Sequence, residues 1–181
     1  MRRVMLISFC FAFILSMNLF AQDKKEFDYI GSKKCKTCHK DQYKKWSEAK
    51  HSKAFEALKS EDAAAKAKAA KVEDPLTSET CLSCHATGAG AKNVAKGFDM
   101  TEEGVSCEAC HGPGSGYKKM GTMKSREESV AAGMVVPDAN TCANCHKAEI
   151  AGHEVKKFDF KTQYAKIAHP VDPEKDRRKK K

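Results

Sequence analysis

The chain has 181 residues, with 33 lysines and arginines against 24 aspartates and glutamates, a formal charge of +9. That surplus invites a nucleic-acid reading, but no recognition motif accompanies it, so nucleic acid is excluded as a partner. Nine cysteines and seven histidines are the residues that carry chemistry.

Met1-Arg2-Arg3 and the apolar run from Val4 to Phe20 predict a secretory signal peptide over residues 1–21, cut after Ala21. The alternative is an uncleaved membrane anchor, since the run is close to a bilayer-spanning length. Cleavage is the preferred reading, and it places the protein in the periplasm. Cys10 would leave with the signal. Losing Arg2 and Arg3 leaves 31 basic residues against the same 24 acidic ones, or +7. Residues 22–171 form the working domain, and 172–181 a charged tail of disordered composition.

Within that domain, Phe27, Tyr29 and Ile30 form an apolar leader. Lys40 to Ser60 reads as one amphipathic helix, with Tyr43, Trp46, Phe55 and Leu58 at broadly helical intervals. Glu61 to Val72, rich in alanine and lysine, predicts a solvated helix that Asp74-Pro75 ends. Residues 86–104 carry four glycines and read as a loop. Tyr117 to Ala132 looks helical, Pro137 breaks the chain, and Phe158 to His169 predicts a final helix stopped by Pro170.

One pattern organises all of this. Cys107-Glu-Ala-Cys110-His111 is a Cys-x-x-Cys-His block, the attachment signature of c-type haem. It recurs as Cys35/Cys38/His39, Cys81/Cys84/His85 and Cys142/Cys145/His146. In each block two thiols add to the porphyrin vinyl groups and the histidine becomes the proximal iron ligand. The Gly112-Pro113-Gly114 turn lets backbone pass close by. A zinc module would need only the cysteine pairs; the histidine beside every pair, and the export signal, favour haem. All eight cysteines beyond Cys10 are used, so no disulfide is expected. Four haems leave about 40 mature residues each, too few for a conventional core. The macrocycles must be the core, and their eight propionates would bring the net charge near −1. The fold class is therefore mainly α, a small multihaem cytochrome with closely packed haems and little or no sheet.

Beyond the four proximal histidines, only His51, His153 and His169 remain. Four six-coordinate irons would need four distal groups, so at least one iron has methionine, another ligand or none. His51 lies twelve residues after His39, about 18 Å along a continuous helix. On such a helix it cannot return to its own haem, and it is assigned to another.

Gly31-Ser-Lys-Lys-Cys-Lys-Thr-Cys-His39-Lys-Asp-Gln, Trp46, His51-Ser-Lys-Ala-Phe, Gly104-Val-Ser-Cys-Glu-Ala-Cys-His-Gly-Pro-Gly114 and the 158–169 segment together resemble the tetrahaem cytochrome c554 family of ammonia-oxidising bacteria. The resemblance implies an exported, mostly helical electron carrier. Its partners would be a hydroxylamine-oxidoreductase-like or other donor and a membrane or soluble cytochrome acceptor. It also implies that His51 serves the third-block iron and His169 the fourth, and that the second-block iron at His85 is open on its distal side. That vacancy carries the competing reading, a reductase of nitric oxide or a related small nitrogen compound, with Glu102, Glu103 and the lysines of residues 86–104 as candidate proton donors. The family supplies the first haem's distal histidine from the segment after the third block, where this chain has none. Met120 is taken as the replacement and Met123 as runner-up; the plain alternative is that both pack on porphyrin. His153 has no counterpart in the pattern. It is read as a non-ligand, and as the residue to suspect should the second iron prove closed.

Overall fold

The computed structural model describes residues 26–147, 153 and 158–169. The predicted signal peptide and charged tail lie outside the described residues. Short helices follow one another along the chain: α1 (Ser32–Lys36), α2 (Lys40–Glu48), a 3-10 turn (Lys50–Lys53), α3 (Ala54–Ala57), α4 (Glu61–Ala69) and α5 (Glu79–His85). After a second 3-10 turn (Met100–Glu102) come α6 (Cys107–His111), α7 (Met120–Met123), α8 (Arg126–Ala131), α9 (Ala139–Ala143) and α10 (Phe160–Ile167). Extended pairing among the described residues amounts to an isolated parallel bridge between Tyr29 and Val94. The mainly α class holds.

Local hydrogen bonding explains where these helices start and stop. Ser60, Ser125, Asp138 and Asp159 each accept a backbone N–H from the first turn of the helix that follows. The helix expected from Lys40 to Ser60 is instead interrupted at Ala49, which is extended (φ −83°, ψ 159°). There the Ser52 hydroxyl donates to the carbonyls of Ala49 (2.8 Å) and Ser47 (3.0 Å), competing with the helical ladder. The expected 117–132 helix divides in the same way, because Ser125 acts as a cap rather than a mid-helix residue. α4 ends before Asp74-Pro75. Lys71 turns left-handed (φ 59°), while Lys71 and Val72 donate back to Lys68 and Ala67, closing a Schellman turn.

Buried apolar side chains are few among the described residues. Phe55 and Leu58 meet Leu82 and Ala86 in one cluster that seats α3 against α5, with Leu76 and Met100 at its edge. Ile30, Ala67 and Tyr117 are buried elsewhere. Such a core is far too small to hold the chain by itself.

Polar pins supply part of the remainder. Glu108, 1% exposed, lies inside the third block. Its carboxylate accepts the backbone N–H groups of Ile30 (3.0 Å), Gly31 (2.7 Å) and Gly114 (2.5 Å), tying the leader of the first block to the exit of the third. Burial pushes the Glu108 pKa up, against the pull of those three bonds. Gly114 is required here for space: a Cβ would come within 2.8 Å of the Ile30 side chain. The close approach expected of Gly-Pro-Gly is thus made to the leader. Glu103, also buried, caps the start of α1 by accepting the Ser32 N–H at 2.9 Å. Replacing Glu108 by alanine orphans three backbone donors at about 1–3 kcal/mol each. Glu108→Ala is expected to lower the unfolding free energy of the holoprotein by about 3 kcal/mol or more. Glu108→Gln, which keeps one acceptor oxygen, should lose clearly less; denaturant unfolding of both variants checks the order.

Candidate haem centres

Each attachment block begins on or beside a short helix. α1 carries Cys35, and His39 caps α2; α5 carries Cys81, Cys84 and His85; α6 carries Cys107, Cys110 and His111; α9 carries Cys142, with Cys145 and His146 just beyond it. Where the helix proper has already ended, in the first and fourth blocks, the winding continues. The His39 N–H donates to the Cys35 carbonyl and that of His146 to the Cys142 carbonyl, both at 2.9 Å.

The histidines then pair across the fold. Ring centroids stand 6.0 Å apart for His51 and His146, 6.0 Å for His85 and His153, and 6.1 Å for His111 and His169. Two imidazoles bound to opposite sides of one iron, at about 2 Å per bond, would hold their centroids about 6 Å apart. The gap in each pair is therefore the width of one iron. Three of these rings have the Nδ1 position engaged: His85 with the Ala54 carbonyl (2.7 Å), His111 with that of Val135 (3.1 Å) and His169 with that of Ile167 (3.0 Å). An Nδ1–H donated to a carbonyl leaves the Nε2 lone pair for a metal. Burial pushes the pKa of His39, His51 and His111 down, and neighbouring histidine rings add to the effect. Neutral imidazole is the form that binds iron. The residues present fit the group that their sequence pattern calls for.

The cysteines show which blocks are neighbours. The Cys35 and Cys107 thiols lie close enough to shift each other's pKa, placing the first block beside the third. Cys145 and Cys84 do the same for the fourth and second. Cys110 lies close enough to Cys142 for their charges to interact, linking third and fourth. Burial and the neighbouring Cys84 push the Cys145 thiol up to about 12.

The eight attachment thiols, treated alike in the sequence reading, are not alike in the fold. Cys38 is exposed, whereas Cys35, Cys81, Cys84, Cys107, Cys110, Cys142 and Cys145 are all partly buried. The reason is its place in the chain. α1 stops at Lys36, so Cys38 falls in the turn ahead of α2, its N–H donated to the Cys35 carbonyl at 3.2 Å. Cys35, one turn earlier, points to Cys107 and the third block, and Cys38 is left on the outer edge of the first. The first-block macrocycle is therefore expected to meet solvent on its Cys38 side.

Several placements depart from what the resemblance implies. His51 faces the fourth-block His146 rather than the third block, and His169 faces the third-block His111 rather than the fourth. Because the helix is broken at Ala49, the rise that set His51 away from His39 does not apply, although His51 does face a different block. His153, read from sequence as a non-ligand, stands across from His85, the position implied to be open. The two carboxylates suggested as proton donors are occupied elsewhere: Glu102 pairs with Lys33 (2.5 Å) and Glu103 caps α1. Met120 begins α7 and is 68% exposed, while the Met123 sulfur accepts from the Ser129 hydroxyl at 3.9 Å. Phe158 lies outside the last helix and stacks on His146, 4.5 Å between centroids. Glu108 was missed; its signal was the one acidic residue between the cysteines of any block.

A chain that buries so little and presents four paired thiols beside histidines is built round its cofactors. It is a multihaem c-type cytochrome with four covalently attached haems. The model of the family described as cytochrome c554 and c-prime matches residues 34–112. Cytochrome c-554 of Nitrosomonas europaea is 39% identical over 67 residues, 35% of this chain and 28% of that protein, so the match spans little more than a quarter of that relative. The reduced-state structure of cytochrome c554 from the same organism superposes with a TM-score of 0.55 at 26% identity, covering 81% of this chain and 80% of that one. Over residues 34–112 the chain is thus similar to the cytochrome c554 family.

The turn at Gly104 holds the His51 segment in register. The His51 carbonyl accepts the Val105 N–H (2.8 Å), and the Trp46 indole donates to the Val105 carbonyl (2.8 Å). Gly104 has φ +55°, and a Cβ there would sit 2.7 Å from the carbonyl oxygens of both His51 and Ser52. Gly104→Ala is therefore expected to lower stability by about 1–3 kcal/mol. It should also disturb the low-spin signal that depends on His51 before the others, as electron paramagnetic resonance during denaturation would show.

Proposed function

We infer that the protein is an exported, periplasmic carrier that takes electrons from a redox enzyme and hands them to a downstream cytochrome. The haems, when bound, supply one-electron redox chemistry. What the chain contributes is order. Electrostatic proximity of the thiols supports an order of attachment blocks that runs first, third, fourth, second, and this order is the observation that carries the reading. Paired imidazoles, in contrast to open positions, suit electron passage rather than substrate chemistry. Lys34, Lys40, Lys44, Lys50 and Lys53 are exposed in the segment that carries the first block, and they offer an acidic partner a basic docking surface. A hydroxylamine-oxidoreductase-like enzyme as donor and a membrane or soluble cytochrome as acceptor belong to the same proposal.

The competing reading, nitric oxide reduction at an open second-block iron, has His153 standing in the position it needs and finds Glu102 and Glu103 turned towards α1. No observation favours it.

Rapid mixing of the fully reduced holoprotein with an oxidised acceptor cytochrome tests the carrier reading. All four haems are expected to reoxidise, and a haem fraction that stays reduced would sink the idea. Raising ionic strength from about 0.01 M to 1 M shortens the screening length from about 30 Å to 3 Å. The bimolecular rate should accordingly fall by about tenfold or more if lysines steer the encounter.

A further inference from the structure

The pairs His51–His146, His85–His153 and His111–His169 take up six of the seven histidines. His39 is the seventh. It lies near enough to His169 for that ring to lower its pKa, but His169 already faces His111, and its Nδ1 is held by the Ile167 carbonyl. One remaining nitrogen cannot serve two irons. Among the described residues no imidazole is left for the far side of the first-block iron.

The segment after the third block wraps round the first-block leader. Asp28 and Ser115 exchange hydrogen bonds (2.7 and 3.2 Å), Glu108 joins Ile30 to Gly114, and Tyr117 is close enough to Cys35 for the thiol to raise its pKa. Met120 follows Tyr117 by three residues, a reach of about 10 Å at most. Met120 is 68% exposed on a four-residue helix, whereas Met123 is partly buried one turn further on.

We propose that the first-block iron, held by His39, is the exchangeable centre of the protein: Met120 is its weak distal partner, and a neutral diatomic molecule such as carbon monoxide or nitric oxide displaces that thioether, while His153 closes the second-block iron. A thioether is a neutral, soft ligand with no second hydrogen bond to anchor it, and a helix of one turn holds it loosely. The proposal rests on the four-haem carrier reading.

Carbon monoxide titration of the fully reduced holoprotein tests it, with haem content measured on the same sample. Wild type is expected to bind one molecule per four haems, His153→Ala two, and Met120→His none. No uptake by wild type, His153→Ala unchanged at one, or Met120→His still at one would each overturn it. Magnetic circular dichroism of the oxidised wild type needs no variant to fold. Three bis-imidazole haems and one histidine–methionine haem are expected, and only two bis-imidazole haems would overturn the assignment of His153. A holoprotein with fewer than four haems fails the carrier reading instead, so the two failures are separable.

Discussion

Everything in this fold hangs on the width of an iron atom between two imidazoles. The chain has no sheet among its described residues and one small apolar cluster, so few ordinary contacts join distant segments. The histidine pairs do that work. His51 with His146 ties the chain's first third to its last block, while His153 and His169 bring the end of the domain back over the second and third blocks. Each pair leaves between its rings the space that one iron would fill. Folding and haem attachment are therefore one process, as in small metal-dependent domains whose binding energy is their folding energy.

Between those staples, buried carboxylates take the place that side-chain packing holds in larger proteins. An unpaired buried carboxylate is costly, but Glu108 accepts three backbone donors that would otherwise be orphaned beside the haem attachment points. Glu103 plays the same part for α1, and its charge adds to the upward push on the Glu108 pKa. An apolar residue at either position would fill space but leave the register between the first and third blocks unspecified. Hydrogen bonds are directional, and here they fix which edges of the two blocks meet.

The sequence made the chemistry legible and the tertiary pairing opaque. A Cys-x-x-Cys-His block carries its meaning in five adjacent residues, so all four attachment sites and the mainly α class could be read directly. The motif does not say how deep each thiol sits, which is why Cys38 could not be told from the seven partly buried cysteines. Breaks in the longer helices were hidden too, because alanine at position 49 has high helix propensity and is extended only where the Ser52 hydroxyl and the Val105 contact with His51 hold it so. Which histidine faces which is a property of the assembled fold: nothing local distinguishes His153, on a polar stretch, from a surface residue. Glu108 sat in view inside a motif whose intervening positions are ordinarily free.

Ligand supply and electron path are separable in this architecture, and the thiol contacts show why. The blocks run first, third, fourth, second, which puts the first and second at the two ends and the histidine-paired third and fourth between them. An iron needs a donor atom at one point in space and is indifferent to the segment that delivers it. Residue 153 can thus close one end while the loss of a histidine after the third block loosens the other, with no change to the cysteine contacts that keep neighbours adjacent. The resemblance implies a vacancy at the second block; in the ring pairings here it is His39 of the first block that has no facing imidazole, while His85 faces His153. The proposed exchangeable position would then stand at the opposite end of the row, and His111 and His146 of the two interior blocks, where exchange with a ligand would interrupt passage, each face a second imidazole.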